Sequence, residues 1–261
     1  MDISIFTLTM GREKYLRRLI ETIRNNHRRS LSLEHHIAFQ GVEPSPELES
    51  FLSEYRDSTG CNLVLHLWPE NCGTGEACNR LVPLLEGRII IKFDEDAALC
   101  SEDFFTHMME INRVEPDVVF SPFPVGLIGA VGGPMSTDRY VKYGAETDTY
   151  YTFRVVRHVG GFARITPAHT IKSYHWPNDL NECTSGIDDV NFSKYCCQTG
   201  IKMCYLENGL IVEHQESSLG QLERYKAYFT KQTIAAQKPL PIRAIRKARR
   251  IAARFVNLFR G

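Results

Sequence analysis

The chain contains no apolar run near the roughly 20 residues that a membrane-spanning helix needs, no Cys-x-x-Cys pair and no low-complexity stretch. The first absence excludes a helical membrane span. The second leaves eight cysteines in 261 residues, which read as reduced intracellular thiols, with the adjacent Cys196 and Cys197 packing in a helix. The third excludes collagenous and disordered classes. The opening Met1-Asp-Ile-Ser-Ile-Phe lacks a basic segment ahead of an apolar one, so no signal peptide is expected and the expected location is cytoplasmic. Net charge is lacking too, with 31 Lys and Arg against 31 Asp and Glu.

The balance hides an asymmetry. From Lys238 onward there are eight cations and no acid, which leaves the rest of the chain with a formal charge of −8. A mildly acidic body with a basic tail suits a surface-binding appendage and no nucleic-acid partner. In the tail, Ile245, Ala248, Ala252, Phe255 and Phe259 share one helical face with arginines around it. Such a basic amphipathic helix over Pro239–Gly261, within a helical tail 219–261, fits an anionic membrane interface, on the inner face of the cytoplasmic membrane, with a protein partner as the alternative.

The centre of the chain is Ile89-Ile-Ile-Lys-Phe-Asp-Glu-Asp96. A short β-branched run fits a parallel strand covered on both faces. The three acids at its end cannot be core unless paired, and ligands bind at the C-terminal ends of such strands. Carboxylates fixed there suit a hard divalent cation carrying a phosphorylated ligand. On spacing alone, a solvated acidic turn reads equally well.

Strand and helix patterns alternate ahead of this stretch. Strands are expected at Asp2–Leu8, His36–Phe39, Asn62–Leu67 and Ile89–Phe93, with helices at Arg12–Asn25, from Glu47 to about Asp57, and Glu76–Leu85. That alternation gives a mostly parallel α/β sheet flanked by helices, divided into a regular half at 1–121 and a less regular half at 122–218. Ser101-Glu102-Asp103 reads as the start of a helix to Asn112. Strand Asp117–Ser121 follows, then glycine-rich Gly126–Gly133, mixed or antiparallel strands around Thr147–Val156, a helix from Gly186 to about Cys197, and strands Ile201–Leu206 and Leu210–His214.

Set in order, these pieces resemble the GT-A glycosyltransferases, of the family 2 type that uses nucleotide-diphosphate sugars. The likeness runs from Ile3 to about Ser218. It rests on the Thr7–Thr9–Arg12 turn, Asn71-x-Gly73 with Asn79, Asp94-Glu95-Asp96, Gly160-Gly161-Phe162, Asp188-Asp189, and His214 followed by Ser217. The resemblance implies a Rossmann-like fold and transfer of a sugar, with inversion, from a nucleotide-diphosphate sugar (a UDP-sugar favoured) to a saccharide or lipid-linked acceptor. It also implies a Mn²⁺ or Mg²⁺ cofactor held by Asp96 and His214, with Asp94 on the metal or the ribose. Glu95 is counted with the donor residues, although side-chain alternation turns it the other way.

On the same resemblance Thr7, Thr9, Arg12, Gln40, Asn71, Gly73, Asn79 and Gly161 contact the donor. Gln40 stands where such enzymes usually carry an acid, and Thr9-Met10-Gly11 departs from the usual turn. Asp189 is the candidate general base with Asp188 as its rival, although acids also favour a helix N-terminus without any catalytic role. Phe162, Tyr174, His175 and Trp176 are candidate acceptor contacts, the last three as an aromatic loop that stacks on sugar or simply packs. A sugar nucleotidyltransferase and a catalytically inactive binding protein are the alternative readings.

Overall fold

The computed structural model describes residues 1–28, 30–125, 138–177 and 187–215. The tail 219–261, the glycine-rich 126–133, Gly186 and Ser217 lie outside the described residues.

The first half alternates as expected. Strands β1 (Ile3–Thr9), β2 (Leu33–Gln40), β3 (Asn62–Trp68) and β4 (Ile89–Asp94) are separated by helices α1 (Glu13–Asn26), α2 (Pro46–Thr59) and α3 (Thr74–Leu81), the last ending in a 3-10 turn at Val82–Leu84. All four strands run parallel in the order β3-β2-β1-β4. Helix α1 forms because Leu16, Leu19, Ile20 and Ile23 recur at helical spacing and bury one face. Helix α2 starts where Ser45 accepts the Leu48 amide at 3.2 Å with Pro46 behind it, and stops at Gly60 in the left-handed region.

Beyond β4 come β5 (Ala97–Leu99), α4 (Phe104–Val114), β6 (Val119–Ser121), β7 (Phe123–Val125), β8 (Arg139–Gly144), β9 (Thr149–Val156), β10 (Ala163–Pro167), α5 (Ala168–Lys172), α6 (Ile187–Thr199), β11 (Met203–Leu206) and β12 (Ile211–His214). The main sheet has nine strands in the order β3-β2-β1-β4-β10-β6-β11-β9-β8, and β5-β12-β7 form a small second sheet. Strand β10 enters antiparallel beside β4, placing Arg164 opposite Lys92.

Several expectations needed correction here. No strand is expected over Gly160–Pro167, yet its end is the fully buried strand β10. Short β5 and β7 were missed, because three residues carry too little periodicity to read. Helix α4 begins at Phe104, with Asp103 at its N-cap in the left-handed region and no side-chain cap, while the Ser101 hydroxyl accepts the Ile211 amide of the small sheet at 2.7 Å. Competition from that cross-sheet bond displaces the expected cap.

Candidate active site

The C-terminal end of β4 carries the acids into the crossing with β10. Glu95 and Asp96 are both nearly enclosed, and each has a partner. Glu95 accepts from the Thr9 hydroxyl and from Arg12 Nε. Asp96 Oδ2 lies 3.2 Å from Arg12 Nη2 and 3.6 Å from His214 Nε2. His214 arrives because β12 pairs with β5, which sets it opposite Ala97, and the Gln215 amide then donates to the Asp96 carbonyl at 2.7 Å. Glu95 and Asp96 are thus buried only because they are paired, while the Asp94 side chain stays 39% exposed.

Lys92 sits two residues before Asp94 on the same face of β4. Its Nζ donates to Asp94 Oδ1 at 2.7 Å and to the Gly161 carbonyl at 2.9 Å. Burial opposes its charge, but Asp94, Asp189 and Asp188 outweigh that and raise its pKa, so it stays an ammonium.

The turn Gly160–Phe162 joins this end of the site to the start of α6. The Gly161 amide donates to Asp189 Oδ2 at 2.7 Å, the Phe162 carbonyl accepts the Asp94 amide at 2.8 Å, and the Phe162 ring lies 5.8 Å from that of His214. Gly161 has no room for a side chain, since a Cβ there would come within 2.1 Å of Asp189 Oδ1. Burial and the neighbouring Asp188 push the Asp189 carboxyl up to about 6, against the pull of Lys92 and Arg164.

The remaining candidates divide. Asn71 Oδ1 accepts the Gly73 amide at 2.9 Å, shaping the turn into α3, where Gly73 takes φ +78°. Gln40 accepts from Cys72 Sγ at 3.4 Å beside it. Tyr174 is half-buried and His175 exposed.

Four of the candidates have their side chains engaged within the protein. Thr7 is fully buried with its hydroxyl 3.1 Å from His35 Nε2, inside the sheet. Trp176 is 1% exposed and stacks on Phe192 with ring centroids 5.9 Å apart, so it packs the core and offers no face to a sugar. Asn79 uses its amide on the backbone of Trp176, donating and accepting at 2.9 Å, which fixes that loop to α3. Glu95, counted with the donor residues, holds the β1–α1 turn through Thr9 and Arg12.

Two residues escaped the sequence reading, Lys92 and Arg164. The signal for the first was present: a lysine inside Ile-Ile-Ile-Lys-Phe needs a buried counter-ion. Arg164 gave no comparable sign, because no strand is expected where β10 lies.

Among the described residues, no group of three or more His, Cys, Asp or Glu side chains is arranged to hold a metal ion. The donor set that exists is Asp96 with His214, and Asp94 close by in the chain. Two protein ligands of this kind suit Mg²⁺ or Mn²⁺ when diphosphate oxygens and water complete the coordination, so the residues fit such an ion bound together with a nucleotide.

No protein-family profile matches the chain, and no curated protein matches it. Solved structures do match in fold. S. aureus TarS 1–349 in complex with UDP-GlcNAc superposes with a TM-score of 0.59 at 16% identity, over 84% of this chain and 61% of the other. The mannosyltransferase PcManGT from Pyrobaculum calidifontis, in complex with GDP-Man and Mn²⁺, gives 0.59 at 14% identity over 84% and 58%. The chain has the GT-A fold. GalNAc-T7 with UDP, GalNAc and Mn²⁺ also aligns, at 0.60 and 11% identity over 82% and 44%. The chain spans less than two thirds of each of these GT-A chains, and identities this low speak for the fold alone.

Proposed function

We propose that the chain is a metal-dependent, inverting glycosyltransferase of the family 2 type, which moves a sugar from a nucleotide-diphosphate sugar to an acceptor hydroxyl. The observation that carries this reading is the Gly160–Phe162 turn, which ties the acids after β4 to the acid at the start of α6. Lys92 bonds both Asp94 and the Gly161 carbonyl, while the Gly161 amide bonds Asp189.

Asp96 and His214, with Asp94 beside them, would hold Mn²⁺ or Mg²⁺, and the ion supplies neutralisation of the departing diphosphate. Support comes from the Mn²⁺ in the printed complexes of PcManGT and GalNAc-T7. Asp189 takes the proton of the acceptor hydroxyl as that oxygen attacks the anomeric carbon. Its raised pKa gives it more affinity for that proton than an exposed aspartate has. Arg12, Asn71 and Gly73 line the nucleotide end, and Gln40 with Cys72 meets the base. A UDP-sugar is the donor we favour, in line with the UDP and UDP-GlcNAc complexes of TarS. Phe162, Tyr174 and His175 flank the acceptor, a saccharide or a lipid-linked one at the inner face of the cytoplasmic membrane, where the basic tail would rest.

The test is a thermal-shift screen of UDP, GDP, UDP-GlcNAc, GDP-mannose, UTP and GTP, each with and without Mn²⁺. A ligand at 100 times its dissociation constant stabilises the native state by about 2.7 kcal/mol. A Mn²⁺-dependent rise with one nucleotide class is the expected result. A rise only with nucleoside triphosphates would favour a nucleotidyltransferase instead.

A further inference from the structure

The Asp189 carboxylate is gripped from two sides. Oδ2 accepts from the Gly161 amide at 2.7 Å, and Oδ1 accepts from Arg164 Nη1 at 3.1 Å. Arg164 comes from the interior of β10, where its side chain has no exposure at all. Its guanidinium lies 4.3 Å from the centroid of the Phe192 ring. Phe192 is three residues after Asp189 on α6, so both lie on one helix face, and a single element presents the arginine with both an anion and an aromatic surface.

A cation enclosed in this way is costly unless its donors are used. Arg164 leaves Nε and Nη2 without hydrogen-bond partners among the described residues. An arginine serving the fold would direct that edge at carbonyls or carboxylates. This one makes its ion pair with Asp189 and little else.

We propose that Arg164 is a positioning residue that holds the Asp189 carboxylate in place as an anion, opposite the Gly161 amide. The proposal rests on the reading of Asp189 as the base. The charged and titratable groups around that carboxylate are Asp188 on its own helix, Lys92 and Asp94 from β4, Arg164 from β10, the Cys78 thiol from α3, and the Tyr205 hydroxyl from β11, which also accepts the Gly160 amide at 3.2 Å. Lys92 divides its bonds between Asp94 and the Gly161 carbonyl, so Arg164 is the cation in direct contact with Asp189. Without it, two adjacent acids would share a closed site with one cation that is already engaged, and Asp189 would take up a proton at higher pH.

The test follows the Asp189 carboxyl carbon by ¹³C NMR in full-length protein labelled at aspartate, with the resonance identified by its loss in Asp189→Asn. Its titration midpoint is compared in the wild type, Arg164→Lys and Arg164→Gln, and melting curves confirm that each variant is folded. The expected result is a midpoint near that of the wild type in Arg164→Lys and a rise of at least about one unit, a tenfold change in proton affinity, in Arg164→Gln. An unmoved midpoint in folded Arg164→Gln overturns the proposal. Should that variant fail to fold, Phe192→Leu loosens the guanidinium without removing it; an upward shift there supports the proposal and an unchanged midpoint overturns it. Wild-type hydrolysis of UDP-GlcNAc by Asp189→Asn would defeat the base reading itself, and with it the role given to Arg164, whereas an unmoved midpoint defeats only the Arg164 proposal.

Discussion

Two acid pairs meet at the Gly160–Phe162 turn, each with an arginine, and the arginines differ in kind. Arg12, which reaches Glu95 and Asp96, has a side chain 34% exposed and is anchored by the loop before α1. Arg164, which reaches Asp189, is enclosed in the sheet. A part-exposed arginine can rotate into water, so the cation next to Asp96 is exchangeable provided that another cation takes its place beside the two enclosed carboxylates. An enclosed one cannot leave without exposing a buried carboxylate to uncompensated charge. One pair is built to trade its cation for another, and the other to keep its charge fixed.

The difference is tested most sharply at the fixed pair. Asp189→Asn keeps the Gly161 contact but removes the base, and sugar transfer should fall by about 10²–10⁴-fold while nucleotide binding with Mn²⁺ stays unchanged in a melting assay. Undiminished turnover would remove Asp189 from the chemistry. At the exchangeable pair, Asp96→Ala should abolish the Mn²⁺-dependent part of the nucleotide-induced melting shift, a part of the about 2.7 kcal/mol that binding supplies at 100-fold saturation. The metal-independent remainder should persist.

Gly161→Ala probes the hinge between the pairs. Its Cβ would meet Asp189 at 2.1 Å, so either the carboxylate or the turn must move. Overpacking of this kind costs about 1–3 kcal/mol, readable as a lower denaturation midpoint, and the displaced base should cut transfer without weakening nucleotide binding. A variant with wild-type stability and rate would show that the turn and α6 are not locked together.

The pH profile follows from the same closed site. Asp189 must be ionised to take a proton, and its pKa is raised to about 6 by burial and Asp188. The transfer rate should therefore fall as pH drops through about 6, by roughly tenfold per unit below it. The linked stability term has the opposite sign. The native state holds the Asp189 proton more tightly than the unfolded chain does, so that contribution is full below the unfolded value of 3.8 and is lost as pH rises through about 6.

What could be read from the sequence tracks the same division. Strands β1–β4 each carry a short apolar-rich segment next to an amphipathic helix, and parallel order follows from that alternation, so both this half and the placement of Asp94–Asp96 at a strand end were legible. The second half reverses direction at β10, and its short strands owe their pairing to partners distant in sequence. Periodicity holds no record of such partners, which is why β10, and Arg164 with it, went unseen. Trp176 shows the limit at a single residue: an aromatic loop reads alike whether it faces a sugar or Phe192, and only the packing against α6 distinguishes them.

The smallest effect belongs to Arg12. The carboxylates that Arg12 reaches are only 5% and 4% exposed, so Arg12→Gln should lower the denaturation midpoint, but by less than a neutral replacement of Arg164, whose own side chain is fully enclosed. Its informative readout is cation binding. In the present arrangement Arg12 Nη2 and His214 Nε2 converge on the same Asp96 oxygen, so a divalent ion must displace the guanidinium before it reaches that oxygen. Removing the competitor should strengthen binding of Mn²⁺ alone, measured by calorimetry, and weaken binding of UDP in the presence of Mn²⁺, because Arg12 is then no longer available to the diphosphate. Opposite signs in those two titrations would mark Arg12 as an exchangeable counter-ion. If both weakened together, Arg12 would instead be holding Glu95 and Asp96 in shape, and the contrast between the two arginines would reduce to one of depth alone.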